Sequence, residues 1–136
     1  MTKKTLLIFS FVLLSVLALN TKSFSQTLEF CEGVSDNGTA ITPASTFYIP
    51  HGGGYFYFLV HIPYELQCKE VYYDIYKIDD YGNATFNTTI NQTDMGSDWV
   101  WFWKKVTFYD PGYYRIDVVD CYDLVIASDY LTVRYK

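Results

Sequence analysis

Histidine, cysteine and carboxylate side chains are the groups that most often catalyse reactions or bind metals. The two histidines, His51 and His61, lie near no serine or cysteine in a nucleophile motif such as G-x-S-x-G. The three cysteines and two histidines show none of the C-x₂-C or H-x₃-H spacings typical of zinc sites. The acidic residues fall mostly at expected loops and strand ends, where an acidic chain supplies carboxylate pairs by chance. We therefore expect no enzyme, no metal site and no cofactor.

Two acidic segments could in principle bind calcium. Asp79-Asp80-Tyr81-Gly82-Asn83 offers oxygen ligands within one turn, and Asp120 and Asp123 flank another. Asp, Asn and Gly are also the usual turn residues, because their side chains and backbones suit tight reversals of the chain. We interpret both segments as turns.

The most unusual segment for binding is Trp99-Val100-Trp101-Phe102-Trp103. Successive side chains of a strand point to opposite faces, so the three indoles would share one face and Val100 and Phe102 the other. A row of exposed rings on a sheet is suited to stacking on sugars or to anchoring a partner protein. The candidate ligand-binding residues are Trp99, Trp101 and Trp103.

Strand parity decides which face of this segment is buried. If Val106 and Phe108 are buried and no bulge intervenes, the residues between the tryptophans join the core and the indoles form an outward ladder. A bulge at Lys104-Lys105 would reverse the register and bury Trp101 and Trp103 instead. Parity leaves both arrangements open.

The first residues have the pattern of a secretory signal. Two lysines precede an apolar run, Leu6–Leu19, and small residues at Ser23 and Ser25 fit a cleavage site. An uncleaved anchor is the alternative, but the run is shorter than the ~20 apolar residues that span a bilayer. We expect residues 1–25 to be a signal peptide. Residues 26–136 would then form a secreted protein, extracellular or periplasmic, with no membrane span.

Composition limits the domain number, the fold class and the partners expected of the mature chain. The 136 residues suffice for one domain, and 20% of them are aromatic, including 14 Tyr, which favours strands. The net charge is −5, and removing three lysines with the signal leaves 7 basic against 15 acidic residues, a net charge of −8. This sign argues against nucleic acid and anionic membranes as partners.

Short strand-like segments separated by turns recur along the mature chain, and none has the 3.6-residue period of a helix. The expected strands are Thr27–Glu32, Thr46–Ile49, Tyr55–Ile62, Glu70–Ile78, Ala84–Ile90, Asp98–Phe108, Gly112–Val119 and Leu124–Tyr135. They predict one all-β domain, an antiparallel two-sheet sandwich of about seven strands.

One late segment narrows the fold further. Asp110–Val118 combines a turn, a glycine and a tyrosine that enters a strand, and it resembles the tyrosine corner of immunoglobulin-like domains. Val106–Asp120 as a whole is similar to bacterial immunoglobulin-like and polycystic-kidney-disease-type extracellular modules. The resemblance implies that the hydroxyl of Tyr114 bonds to the backbone upstream. It departs from antibody domains in lacking their inter-sheet disulfide and a tryptophan in Glu70–Ile78.

The resemblance also suggests how the cysteines pair. In an immunoglobulin-like topology, Cys68 precedes one strand, Glu70–Ile78, and Cys121 follows its antiparallel neighbour, Gly112–Val119, so both sulfurs lie at the same end. This implies a Cys68–Cys121 disulfide. Because Cys31 could reach the same end, its pairing with either partner is the rival, and the odd count leaves one thiol over.

These observations predict a secreted, non-enzymatic recognition or adhesion module that binds an extracellular glycan or protein through exposed aromatic side chains. The alternative is a structural protein that self-assembles at a cell surface. In that case Thr27–Glu32 or Leu124–Tyr135 would be an edge strand with unpaired backbone.

Overall fold

The computed structural model describes residues 26–136, so the expected signal peptide, residues 1–25, lies outside the described residues. This part of the chain contains strands and no helix, and hence no helix that could cross a membrane. The strands are β1 (Thr27–Val34), β2 (Ala40–Pro43), β3 (Thr46–Ile49), β4 (Gly54–His61), β5 (Val71–Ile78), β6 (Ala84–Gln92), β7 (Trp101–Phe108), β8 (Gly112–Val119) and β9 (Val125–Tyr135).

The strands form the two sheets of an immunoglobulin-like sandwich, as the sequence predicts. The first sheet has the order β2-β1-β4-β7, and the second has the order β3-β9-β8-β5-β6. Neighbouring strands are antiparallel with one exception, β3 and β9, which run parallel from Thr46 opposite Thr132. The exception arises because the chain crosses after β2 from the first sheet to the edge of the second, where the Thr132 N–H donates to the Ser45 carbonyl.

Two strand predictions need correction. β2 was not expected, since its residues are mostly exposed and include a proline and Thr42, whose φ of 51° lies in the left-handed region. The strand expected over Asp98–Phe108 begins only at Trp101. Before it the chain makes a turn in which the Trp99 N–H donates to the Gly96 carbonyl at 3.1 Å.

The core between the sheets is largely aromatic. Phe58 on β4 is fully buried and meets Phe30 of β1 edge to face at 5.3 Å and Tyr73 of β5 at 5.5 Å between ring centroids. The Tyr73 hydroxyl donates to Gln92 Oε1 at 2.6 Å, and burial raises the pKa of this phenol well above its usual value. The edge-to-face contact of Phe58 with Tyr73 thus joins the two sheets, and the Tyr73 hydroxyl is satisfied within the second sheet.

Tyr114 occupies the position of the tyrosine corner. Its side chain is buried, and its hydroxyl donates to the Asp110 carbonyl at 2.9 Å, across the turn that leads into β8. Its ring meets Phe108 edge to face at 5.2 Å. The bond therefore ties the turn between β7 and β8 to the core.

The disulfide between Cys68 and Cys121 is confirmed, with a Cα–Cα distance of 5.9 Å. It joins the segment before β5 to the segment after β8, and these two strands are neighbours in the second sheet. Cys31 is free and buried, and burial raises the pKa of its thiol. Structural disulfides persist in oxidising compartments, so this bond indicates an extracellular or periplasmic setting.

The prediction that Thr27–Glu32 or Leu124–Tyr135 offers unpaired backbone at a sheet edge is wrong. Thr27–Glu32 lies in β1 and Leu124–Tyr135 in β9, and both strands have a neighbour on each side. The sheet edges are instead β2 and β7 in the first sheet and β3 and β6 in the second. On β7, Lys104 shares the inward parity of the buried Phe102, and an inward-pointing charge discourages further strands from adding to an edge.

Candidate ligand-binding face

The outer surface of the first sheet carries a set of aromatic side chains, here termed the aromatic face. β4 and β7 place them in register, with His61 opposite Trp101, Leu59 opposite Trp103, and Tyr57 opposite Lys105. The members of the aromatic face are Tyr55, Tyr57, His61, Trp101 and Trp103.

Trp103 and the two tyrosines form the open part of this face. Trp103 is 46% exposed and meets Tyr57 edge to face, with 5.4 Å between ring centroids. Tyr57 in turn meets Tyr55 at 6.4 Å and an interplanar angle of 89°. Because neighbouring rings are steeply inclined to each other, this surface is stepped rather than flat.

Lys105 lies among these rings. Its Nζ is 3.9 Å from the centroid of Tyr55, a cation–π contact. Within residues 26–136 the one ion pair is between Arg115 and Asp117, so no carboxylate there neutralises Lys105. The aromatic face therefore has a positive group with free N–H donors.

Trp101 is partly covered by the loop that joins β1 and β2. Gly38 in this loop is buried, and a Cβ built on it would lie 2.6 Å from Cδ2 of the Trp101 indole. His61 lies over the same indole at 6.4 Å with an angle of 29° between the rings. Trp101 is consequently less open to a ligand than Trp103.

The expectation that Val100 joins the core is wrong. Phe102 is buried at 2% exposure, and the pairing of β4 with β7 has no register shift, so Trp101 and Trp103 do point outward. Trp99 and Val100 precede the strand, and both are substantially exposed. Alternation of faces holds only within a strand, so Val100 is not a core residue. Trp99 nevertheless lines one surface cavity together with Trp101 and Trp103.

Replacing Gly38 by alanine is expected to push the loop off Trp101. Gly38 has φ of +81°, and the new methyl group would overlap the indole, so we expect a loss of about 1–2 kcal/mol in the free energy of unfolding. Urea unfolding measures the loss, and tryptophan emission should shift to the red as the indole meets water. Gly82→Ala is the control, because Gly82 also has a positive φ but would meet no atom within 4 Å. An unchanged emission spectrum in Gly38→Ala would contradict the contact.

Both histidines lie against aromatic rings. His51 stacks on Tyr135 at 4.1 Å, and His61 lies over Trp101. Residues 26–136 contain no group of three or more His, Cys, Asp or Glu side chains placed to hold a metal ion.

The two segments weighed as calcium loops form hydrogen-bonded turns. Asp79 Oδ1 accepts the backbone N–H groups two and four residues later, at 2.9 and 2.8 Å. These bonds, above all that from the Asn83 N–H, lower the pKa of the Asp79 carboxyl. Asp120 Oδ1 accepts N–H groups at the same two spacings.

A second aromatic surface, on the outside of the second sheet, was not predicted from the sequence. Its residues include Tyr76, Arg115 and Tyr130, which the register places side by side on β5, β8 and β9. Alternation within each strand could have shown their shared outward parity. Their alignment across strands depends on the register between segments that are far apart in the chain.

Comparison with known proteins identifies similar solved structures. No protein-family model and no curated protein matches the chain. The solved structures that are similar to it include the following two. An immunoglobulin-like protein from Pseudomonas aeruginosa matches with a TM-score of 0.49 and 13% identity, over 79% of this chain and 91% of that one. A CARDB domain from Pyrococcus furiosus, solved in complex with di-metal ions, matches with a TM-score of 0.38 and 12% identity, over 82% of this chain and 93% of that one.

Proposed function

We propose that this protein is a non-enzymatic extracellular recognition module that binds a glycan chain through Trp103, Tyr57 and Tyr55. The observation that carries the proposal is the exposure of the Trp103 indole on the outer face of a sheet, next to Tyr57. Exposed rings fixed in place stack on the apolar faces of sugars with little loss of side-chain entropy.

The arrangement of the rings favours a single glycan chain over a flat polysaccharide surface. The planes of Trp103 and Tyr57 differ by 68°, so a planar sheet of sugars could not contact both ring faces at once. A twisted chain can turn from one ring to the next. Lys105 stands beside the rings as a donor of hydrogen bonds to sugar hydroxyl groups.

The absence of catalysis is part of the same proposal. The two histidines, which are the usual general bases near neutral pH, pack against Tyr135 and Trp101. Among the described residues, neither histidine belongs to a group of three or more His, Cys, Asp or Glu side chains placed to hold a metal ion. The inward Lys104 on the edge strand β7 argues against the alternative of assembly by strand addition at that edge.

Replacing Trp103 by alanine is expected to weaken glycan binding at least tenfold, or about 1.4 kcal/mol. A glycan array identifies a binding chain, and isothermal titration with that glycan compares the variants. Tyr81→Ala is the control, because Tyr81 is 91% exposed but lies in the turn between β5 and β6, off the aromatic face. Its affinity should equal that of the wild type.

Two results would contradict the proposal. One is an array on which no glycan binds, and the other is Trp103→Ala binding as tightly as the wild type while its circular dichroism is unchanged. A purified protein partner that is lost with Trp103→Ala, in the absence of any glycan ligand, would assign the aromatic face to protein recognition instead.

A further inference from the structure

The outer face of the second sheet carries a row of large side chains across four strands. Phe86 on β6 pairs in register with Tyr76 on β5, Tyr76 with Arg115 on β8, and Arg115 with Tyr130 on β9. Phe86 and Tyr130 are 57% and 45% exposed. Tyrosine and arginine are among the residues most enriched at the centres of protein interfaces.

Arg115 shows how this face holds a guanidinium group. Its guanidinium carbon lies 4.4 Å from the centroid of Tyr76, and its Nε lies 3.3 Å from Asp117 Oδ1. The Ser128 hydroxyl donates to the same oxygen at 2.7 Å and fixes the carboxylate. A tyrosine ring and a neighbouring carboxylate together hold the cation.

Asp74 is a second carboxylate beside a tyrosine ring on this face, and among the described residues it has no cationic partner. It lies directly opposite Asp117, and on β5 it stands between Tyr72 and Tyr76, which share its face. Its carboxylate accepts the Thr89 hydroxyl at 2.7 Å, and within the described part of the chain no cationic group lies within 4 Å of it. The face therefore has a second site formed by a tyrosine ring and a carboxylate, and a cationic group of another molecule can reach it.

Two negative charges lie beside Tyr72, on the side of Asp74 away from Arg115. The Tyr72 hydroxyl donates to Glu70 Oε1 at 2.8 Å, and Asp123 lies near enough to act on it as well. That bond and the two negative charges raise the pKa of the Tyr72 phenol. This end of the second sheet therefore attracts a positive group.

We propose that the outer face of the second sheet binds an arginine-bearing segment of a partner protein, with the guanidinium on Asp74 and against the ring of Tyr72, since Arg115 already occupies the ring of Tyr76. Charge complementarity selects this occupant, because the exposed rings would suit any apolar partner but a carboxylate without an ion-pair partner favours a cation. Arginine fits better than lysine, since its planar group stacks on a ring and bonds a carboxylate in two places at once. This surface lies on the opposite side of the sandwich from the aromatic face and does not depend on glycan binding.

The probe for this site is a synthetic Gly-Arg-Gly-Arg-Gly peptide, titrated into the ¹⁵N-labelled protein. We expect amide shifts confined to the neighbourhood of Tyr72, Asp74 and Tyr76. Asp74→Asn should weaken binding about fivefold, the upper range for an exposed ion pair. The asparagine keeps an oxygen that can accept the Thr89 hydroxyl, so the fold should be retained.

Two controls make the test specific. Asp80→Asn removes the same charge from the exposed turn between β5 and β6 and should leave the affinity unchanged. A peptide with citrulline in place of arginine keeps the shape but not the charge and should not bind. Equal weakening by Asp74→Asn and Asp80→Asn, shifts spread over all acidic turns, or binding of the citrulline peptide would each overturn the proposal.

Discussion

Replacing Phe102 by alanine is expected to lower the free energy of unfolding by about 3–5 kcal/mol, the range for a buried aromatic residue. Phe102 is 2% exposed and belongs to the core that the two sheets share. The adjacent Trp103 is the matched control, because it lies on the same strand with its ring outside. Trp103→Ala should cost about 1 kcal/mol or less.

Urea unfolding followed by far-ultraviolet circular dichroism measures both variants without relying on tryptophan emission. The contrast tests the register of β7 directly, since a shift by one residue would exchange the two faces. Similar losses for the two variants, or a larger loss for Trp103→Ala, would show that the indole points inward. The proposed aromatic face would then lose its central residue.

Removing the disulfide by Cys68→Ala and Cys121→Ala together is expected to cost about 4 kcal/mol on the chain-entropy relation. The size follows from the 53-residue separation of the two cysteines, because the bond restricts a long loop in the unfolded chain. The unfolded state should also expand, so the dependence of the free energy on urea concentration should become steeper.

Cys31→Ala is the control for this double variant. It removes a buried sulfur that forms no disulfide, so it should cost only about 1 kcal/mol and leave the urea dependence unchanged. Mass spectrometry of non-reduced peptides should show Cys31 unlinked. If the double variant lost no more stability than Cys31→Ala, the disulfide would not be a main support of the sandwich.

The sequence alone determined most of the secondary structure. Within a strand, inward and outward side chains alternate with every residue, so segments such as Gly112–Val119 could be recognised from their own composition and the turns around them. The tyrosine corner was also predictable from local sequence, because Tyr114 and its acceptor at Asp110 are only four residues apart. The Cys68–Cys121 pair followed from the topology that this corner implied.

The tertiary structure decided what depends on distant segments. β2 has little apolar pattern, and it forms a strand because β1 pairs with it. The contact of Gly38 with Trp101 likewise has no local signal in the sequence. Parity cannot reveal where a strand begins, so it assigned Val100 to the core although the strand starts only at Trp101. The row of Tyr76, Arg115 and Tyr130 forms only when three strands align in register. Local periodicity assigns a side chain to a face, whereas the pairing of strands far apart in sequence decides which side chains become neighbours there.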